Sequence, residues 1–507
     1  MKRVKPIFFG FVVLALAALA LGIFVDRAWL VPAVLAAPFV AIGLHDVAQR
    51  DNAILRNFPI AGHVRYLAEA ISPEIQQYFI ERHTDGKPIS RNHRNVVYER
   101  AEGRSPTHPY GTERELYDGR YRGLLHSLYP VAPLAEPPRV VVGGEACAQP
   151  YAASLLNVSA MSYGALGPTA IRALAAGARQ GGFYLNTGEG SLTPHHLSGG
   201  GDLVWQIGTG YFGCRTDDGG FDADAFSHKA TEPQVRMIEL KLSQGAKPGH
   251  GGVLPARKNL EEIAAIRGVR PHTTVLSPPG HREFDDAEGL LRFVDRLREL
   301  SGGKPTGCKL CVGRGDEFDE LCRVMARTGT IPDFVTIDGA EGGTGAAPLE
   351  YSDSVGWPLR YALPRVDATL REHGLRDRVR VIASGKIVTS YDVLEALALG
   401  ADLCNAARAF MLSLGCIQAL RCDTNSCPSG VATMDPRLYR GLVPEQKKDR
   451  VEMFHRRTLE ATLELSAAVG VADPRDVTFD RFVELPCDIE GRLDRRPWKP
   501  AHSEARP

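Results

Sequence analysis

From residue 155 to residue 405, short β-branched runs alternate with amphipathic stretches, and this alternation restricts the fold more than any other feature of the chain. Runs at 155–161, 237–242, 274–276, 308–312, 334–337, 379–383 and 402–405 have the length and apolar content of buried strands. Between them, 260–267, 287–300, 318–327 and 391–399 carry apolar residues at helical spacing. Strand-then-helix repetition with buried strands requires a parallel sheet covered on both faces, either doubly wound or closed. Seven strands are plain, and 184–186 or 204–207 supplies the eighth. Glycine-rich and polar clusters follow one strand end after another, as on the catalytic face of a closed barrel, and no GxGxxG follows the first strand. The expectation is an α/β fold, a (β/α)8 TIM barrel, over 151–470. At 507 residues, 44% of them hydrophobic, the chain can hold one such core plus appended segments.

The N-terminus departs from globular composition. Residues 7–25 form an uncharged apolar run of nineteen, and a second run covers 28–44 after only Asp26 and Arg27. Each approaches the span of about 17 to 25 residues needed to cross a bilayer. A cleavable signal peptide is the competing reading, since MKRVK is a basic leader, but it leaves the second run unexplained. Pro32 and Pro38 weaken the second run as a straight helix, which keeps a re-entrant hairpin open. Lys2, Arg3 and Lys5 before the pair, with Arg50 and Arg56 after it, put positive charge at both ends on one side. That pattern predicts a transmembrane hairpin at 1–50 in the inner (cytoplasmic) membrane, with the catalytic domain facing the cytoplasm. Residues 51–150 read as an N-terminal support region, where the spacing of Ile75, Tyr78 and Phe79 predicts packing on the body. The proline- and arginine-rich segment 471–507 reads as a loosely ordered tail.

Basic and acidic residues balance at 60 each, and no basic stripe is present, so nucleic acid is not an expected partner. The 10 cysteines are not distributed like a secreted disulfide framework. Three of them, Cys416, Cys422 and Cys427, crowd into GCIQALRCDTNSCPSGVAT with C-x5-C-x4-C spacing. Soft thiolates so close together serve an iron-sulfur cluster or zinc, and three ligands without a fourth favour a three-iron cluster. Zinc would want Cys404 or a histidine as fourth ligand, and three inert buried cysteines is the remaining alternative. Cys308 and Cys311 form a CxxC inside a predicted strand, where positions three apart face opposite sides, so that pair reads as structural.

Glycine-rich turns come next. GAEGGTGA at 339–346 follows a strand, Ser384, Gly385 and Lys386 follow the next, and 405–408 ends the last, with Arg408 nearby. Backbone amides in such turns, helped by a cation, cradle phosphate, and late barrel loops are its favoured site. A single glycine loop would be explained by a tight turn alone. Lys309, central in an apolar strand, is either a paired buried lysine or a positive charge beside the pyrimidine side of a flavin.

The ordered set NVSAMSYGALG at Asn157, NTGEG at Asn186, LSQGAKPGHGG at Leu242, SPPGH at Ser277, GGTGA at Gly342 and the cysteine segment at Gly415 resembles the FMN-binding domain of glutamate synthases, and the stand-alone members most closely. The resemblance covers roughly residues 60 to 470. It implies an FMN-bearing (β/α)8 barrel with a 3Fe-4S cluster, reducing the imine formed from 2-oxoglutarate and ammonia. By motif, Met161, Ser162, Lys309, Gly342, Gly343 and Gly385 would contact FMN, with Arg408 near its phosphate. Glu189, Gln244, Lys247 and Arg267 would lie at the 2-oxoacid site, and Cys416, Cys422 and Cys427 would hold the cluster. The residue types suit that chemistry, since Lys247 and Arg267 can pair with carboxylates and Glu189 can position ammonia or pass a proton. Taken singly, each has a surface salt bridge as its alternative reading.

Three departures from the family pattern bear on substrate and partners. The chain opens with Met1, Lys2 and the apolar run rather than a catalytic cysteine, so ammonia is expected from solution or a partner. His250 stands where the large enzymes have an acidic residue, and Tyr211 where they have an arginine, which leaves another small acid or amine open as substrate. With no nicotinamide domain in view, the electron donor is expected to be ferredoxin, another protein or something in the membrane. A non-catalytic membrane flavoprotein subunit is the third reading.

Overall fold

The computed structural model describes residues 4–107, 109–117 and 121–484. The chain divides into two compact units, Met1–Arg91 and Asn92–Pro507. Lys2, Arg3 and the part of the expected tail from 485 onward lie outside the described residues.

In the first unit both apolar runs are helices, Val4–Phe24 and Leu30–Ala48, of 21 and 19 residues. Between them Asp26 Oδ1 accepts the Ala28 N–H at 2.9 Å. The two run antiparallel: Gly43 lies against the Phe8 ring and Gly22 against Leu30, each so close that a Cβ would collide. Pro32 sits in the first turn, where no helical donor is lost, and Pro38 is carried inside a continuous helix. Both helices are long and apolar enough to cross a bilayer, and Leu14, Phe24 and Leu35 are exposed. Asp46, in the last turn of the second helix, is buried and accepts the Ile60 N–H at 2.9 Å and a bond with His63 Nε2 at 3.0 Å. After the short helix Ala53–Asn57, His63 belongs to the helix Ala61–Ile75, which continues into a π-helical turn, Gln76–Ile80. Ile75, Tyr78 and Phe79 were expected to pack inward, but all three are exposed. Helical spacing marks an apolar face without saying what covers it.

In the second unit eight parallel strands close into a barrel. They are β1 (Leu156–Val158), β2 (Leu185–Asn186), β3 (Leu203–Ile207), β4 (Val235–Lys241), β5 (Thr306–Leu310), β6 (Phe334–Asp338), β7 (Arg380–Ser384) and β8 (Leu403–Ala406). Closure runs through β8 and β1, with Asn405 opposite Asn157. Both candidates for the eighth strand are used, as β2 and β3. The expected strand at 274–276 is not a barrel strand: Val275–Leu276 pairs antiparallel with Val253–Leu254 inside the long β4–β5 connection. A three-residue apolar run cannot report which sheet it joins. The β4–β5 register sets Lys241 opposite Lys309, so two lysines stand side by side near the carboxyl ends of adjacent strands.

The barrel interior is polar at one level. Buried Glu239 accepts Asn186 Nδ2 at 2.7 Å and Gln206 Nε2 at 2.6 Å on Oε1, and Thr336 Oγ1 at 2.7 Å on Oε2. Such occupied lone pairs are the condition for keeping a carboxylate out of water. At the amino-terminal end, strands Val140–Val142 and Tyr151–Ala153 form a hairpin tied to β7 by Arg380 Nε donating to the Val141 carbonyl at 3.0 Å. Outside the barrel, helix Pro168–Gly181 packs on the long helix Pro444–Ala468 at Gly177, where a Cβ would stand 2.6 Å from Val451 Cγ1. Part of the expected loose tail is built in: Phe482–Glu484 pairs antiparallel with Arg122–Leu124.

Candidate active site

Every strand contributes to the carboxyl-terminal mouth. Met161 and Ser162 follow β1, Glu189 follows β2, and Tyr211 follows β3. Lys241 ends β4 and is followed by Gln244 and Lys247; Lys309 lies in β5 and Asp338 ends β6. Gly385 follows β7 and Arg408 follows β8.

One group forms around Glu189. Lys241 Nζ stands 2.8 Å from Glu189 Oε1. Glycine backbones close over the carboxylate, since a Cβ on Gly208 would come 2.6 Å from Oε2 and one on Gly252 2.5 Å from Oε1. Burial pushes against the charge of Glu189, yet Lys241, Arg267 and Lys247 outweigh it and hold the carboxyl below its usual range. Lys247 is 2% exposed and donates to the Ala346 carbonyl at 2.8 Å. Burial lowers its pKa to about 8, with Lys241 adding repulsion and Glu189 opposing. Arg267 ends the helix Glu261–Arg267, is 5% exposed, donates to the Tyr163 carbonyl at 3.0 Å and lies over the Phe212 ring. Its Nε is buried with no partner, an orphaned donor of the kind a bound carboxylate satisfies. Gln244 stands apart from this group, donating to Thr344 Oγ1 at 3.2 Å across to the glycine loop.

A second group forms between β5 and β8. Lys309 is buried with Nζ 3.3 Å from Asp338 Oδ2. Burial works against its charge, but Asp338 and Glu239 raise its pKa, so it is a firmly held cation. Asp338 also accepts the Gly245 N–H at 2.9 Å and Ser384 Oγ at 2.8 Å, fixing the loops after β4 and β7 to β6. Around this aspartate the backbone is bare. A Cβ on Gly342 would lie 3.1 Å from Asp338 Oδ1, one on Gly343 2.9 Å from Arg408 Nε, and one on Gly385 3.1 Å from the Gly339 nitrogen. Gly385 has φ +141°, which a side chain rarely adopts. Arg408 donates to the Glu341 carbonyl. On the far side, a Cβ on Gly188 would stand 2.7 Å from the Ser162 nitrogen, so the β1 and β2 loops also touch through backbone. The glycine cradle, Arg408 and buried Lys309 suit a phosphate and a ring that takes up negative charge.

The three cysteines lie beyond the β8 loop in a segment bent by left-handed residues Gln418, Leu420 and Asn425. Cys416 Sγ accepts the Gln418 N–H at 3.4 Å, and Cys427 Sγ contacts Ser429 Oγ at 3.4 Å. Burial raises the Cys416 thiol to about 12, with Cys422 and Cys427 adding to the rise, so the three sulfurs feel one another. Among the described residues no group of three His, Cys, Asp or Glu side chains is close enough to hold a single metal ion. Soft sulfurs beside an amide donor are the donor type that an iron-sulfur cluster would use. Buried Lys258 connects this segment to the mouth, donating to the carbonyls of Ala165 at 2.6 Å and of Cys422 and Ala432 at 3.2 Å each.

Lys241, Asp338 and Lys258 were not singled out from the sequence. For the first two the readable signal was a charged residue at the carboxyl end of an otherwise apolar strand. Of the two residues that depart from the family pattern, Tyr211 is fully buried with its hydroxyl 3.0 Å from His281 Nδ1 and accepting the Arg282 N–H at 3.1 Å. His250 Nδ1 lies 2.8 Å from the Gly251 carbonyl, and its ring meets Tyr351 edge to face. Cys308 is buried in β5, as its structural reading requires. A concavity of about 890 Å3 lies at the opposite end of the barrel, where Arg376 pairs with Asp367 and Asp402.

Residues 133–472 match a family described as the conserved region in glutamate synthase. The glutamate synthase large subunit-like protein YerD of Bacillus subtilis (strain 168) is 38% identical over 505 residues, covering 91% of this chain and 94% of that protein. An archaeal-type glutamate synthase [NADPH] of Thermotoga neapolitana is 34% identical over 314 residues, and the match spans 62% of this chain and 59% of that one. Among solved structures, a flavocytochrome b2 variant with pyruvate bound aligns with a TM-score of 0.44 and 14% identity, covering 93% of this chain and 98% of its own, too slight a likeness to bear on the site. With the family match covering the whole barrel and its cysteine segment, the chain belongs to the glutamate synthase family as a glutamate synthase-like oxidoreductase.

Proposed function

We propose that this enzyme is an FMN- and 3Fe-4S-dependent oxidoreductase that reductively aminates 2-oxoglutarate to glutamate, using ammonia and electrons from ferredoxin or another donor protein. The observation that carries this reading is the group of Lys241, Lys247 and Arg267 around the single carboxylate Glu189. In it, Lys247 and Arg267 bind the carboxylates of the oxoacid, with the orphaned Arg267 Nε as one ready donor. Glu189, kept ionised by its cations, holds ammonium or accepts a proton as the imine forms. Gly342, Gly343, Gly385 and Arg408 would hold the FMN phosphate, Met161 and Ser162 would contact the cofactor, and Lys309 would neutralise charge on its ring. FMN bound there would supply the hydride that converts imine to amine, and a cluster on Cys416, Cys422 and Cys427 would supply electrons. Gln244, on the loop facing Thr344, orders the two loops over the substrate.

The helices Val4–Phe24 and Leu30–Ala48 anchor the protein in the cytoplasmic membrane, with both ends on the cytoplasmic side by the placement of Lys5, Arg50 and Arg56. The deciding experiment uses purified full-length protein with measured flavin and iron, supplied anaerobically with reduced ferredoxin, 2-oxoglutarate and ammonium. Glutamate formation is the expected result. Flavin reoxidation by a different acid, without glutamate, would replace the substrate and keep the enzyme. Tyr211 favours that second reading, because a hydroxyl already engaged by His281 and Arg282 stands where the family pattern has a cation.

A further inference from the structure

The helix that follows the hairpin presents an apolar face to its surroundings. Val64, Leu67, Ile71 and Ile75 recur at three- and four-residue spacing over Ala61–Ile75, and Tyr78 and Phe79 extend the stripe through the π-helical turn. All six are between 41% and 84% exposed. The opposite face is polar, with Arg65 Nε 2.8 Å from Glu69 Oε1. An amphipathic helix normally hides such a stripe in a core, and an exposed one marks a binding surface.

Its starting point identifies the occupant. Asp46 lies in the last turn of the second apolar helix, where a bilayer-spanning segment reaches the interface. That buried carboxylate accepts the Ile60 N–H and bonds His63 Nε2, so the first turn of Ala61–Ile75 is fastened at the level where the span ends. Asn52 reinforces the turn, capping Ala53–Asn57 through Ile54 and Leu55 and bonding the Tyr66 hydroxyl at 2.8 Å. A helix pinned at that depth, with a narrow apolar stripe and a charged back, has the composition of an interfacial helix.

We infer that Ala61–Ile75 and the turn after it lie in the plane of the membrane, with Val64, Leu67, Ile71, Ile75 and Phe79 sunk into the phospholipid headgroup and acyl boundary. This rests on the reading of the hairpin as membrane-spanning. The helix would add an interfacial foot to the anchor, fixing the height at which the chain leaves the bilayer.

The test places an environment-sensitive fluorescent amino acid, one site at a time, in the full-length protein reconstituted in vesicles of phosphatidylethanolamine and phosphatidylglycerol. Nitroxide lipids spin-labelled near the headgroup or near the chain end act as quenchers. Headgroup-proximal nitroxide should cause a loss of intensity at 64, 67, 71 and 75 and none at 65 and 69, while a label at Leu35 should be quenched by the chain-end nitroxide. Quenching at 35 without the periodic loss at 64 to 75 overturns the inference and points to a face covered by the protein itself. Absence of quenching at 35 overturns the membrane reading instead. Each label sits on an exposed side chain, so the fold is not at stake.

Discussion

Replacing Glu239 tests whether the polar layer of the barrel is held by its hydrogen bonds. In Glu239→Ala the donors Asn186 Nδ2, Gln206 Nε2 and Thr336 Oγ1 lose their common acceptor in the interior. A buried donor left without a partner costs about 1–3 kcal/mol, so three of them cost about 3–9 kcal/mol in sum. With an unfolding entropy of about 2.1 cal/mol/K per residue, a unit of about 400 residues loses roughly 1.2 °C per kcal/mol, and the melting temperature should fall by about 4–11 °C. Glu239→Gln is the control. Its Oε1 keeps Asn186 and Gln206, and its amide donates to a Thr336 hydroxyl that turns to accept. That variant should therefore stay within about 2 °C of the parent, near the cost of a single weakened bond. Circular dichroism of the detergent-solubilised chain during heating reads both shifts. A Glu239→Ala protein melting within about 1 °C of the parent would show that the three donors find other partners. A Glu239→Gln protein falling as far as the alanine variant would show that the charge facing Lys309, rather than the bond count, sustains the layer.

Three further outcomes follow from the site. Lys247 is charged below its pKa of about 8, so kcat/KM for the oxoacid should be full below that pH and fall tenfold per pH unit above it; Lys247→Met should abolish that limb and raise KM by about 10- to 100-fold through loss of a charge-assisted bond. Gly385→Ala must strain a φ of +141° and crowd the Gly339 nitrogen, so FMN titration of the deflavinated variant should show affinity reduced by about 5- to 150-fold, equal to about 1–3 kcal/mol of strain. Burial depresses His196 and His455 to about 3 and His281 to about 4. The unfolded chain then takes up their protons first as pH drops below 6.5, and each should remove about 2 kcal/mol of stability between pH 7 and pH 5; a melting temperature unchanged over that range would refute the assignment.

The barrel was legible because its strands are buried on both faces and read as apolar runs, while its helices carry a separate period. The short strands defeated that reading. Leu185–Asn186 and Leu203–Ile207 both entered the barrel, whereas Val275–Leu276 joined a side hairpin, and membership at such lengths is decided by tertiary pairing. The glycine turns and the cysteine trio stood out because each breaks a local pattern. Glu239 did not, since its partners lie 53, 33 and 97 residues away and only closure of the sheet gathers them. Lys258 was equally silent, as a lysine in an ordinary turn that proves to bind carbonyls of the β1 loop and of the cysteine segment.

The placement of charge at the mouth narrows the ligand further than any motif. Lys309 has its own counterion in Asp338, so it adds little field at the neighbouring group around Glu189. That group sets Lys241, Lys247 and Arg267 against Glu189 alone, an excess of two positive charges while Lys247 is protonated. Two carboxylates neutralise that excess, whereas a monocarboxylate leaves one buried cation without a partner, at a cost of the order of 1–3 kcal/mol or more. An arginine in place of buried Tyr211 would have raised the excess to three. The tyrosine, with its hydroxyl occupied by His281 and the Arg282 N–H, adds no charge to that count. Affinities for a series of mono- and dicarboxylic 2-oxoacids, measured by competition, should differ by about tenfold or more in favour of the dicarboxylates; equal affinities would mean that solvent, not the ligand, neutralises the group.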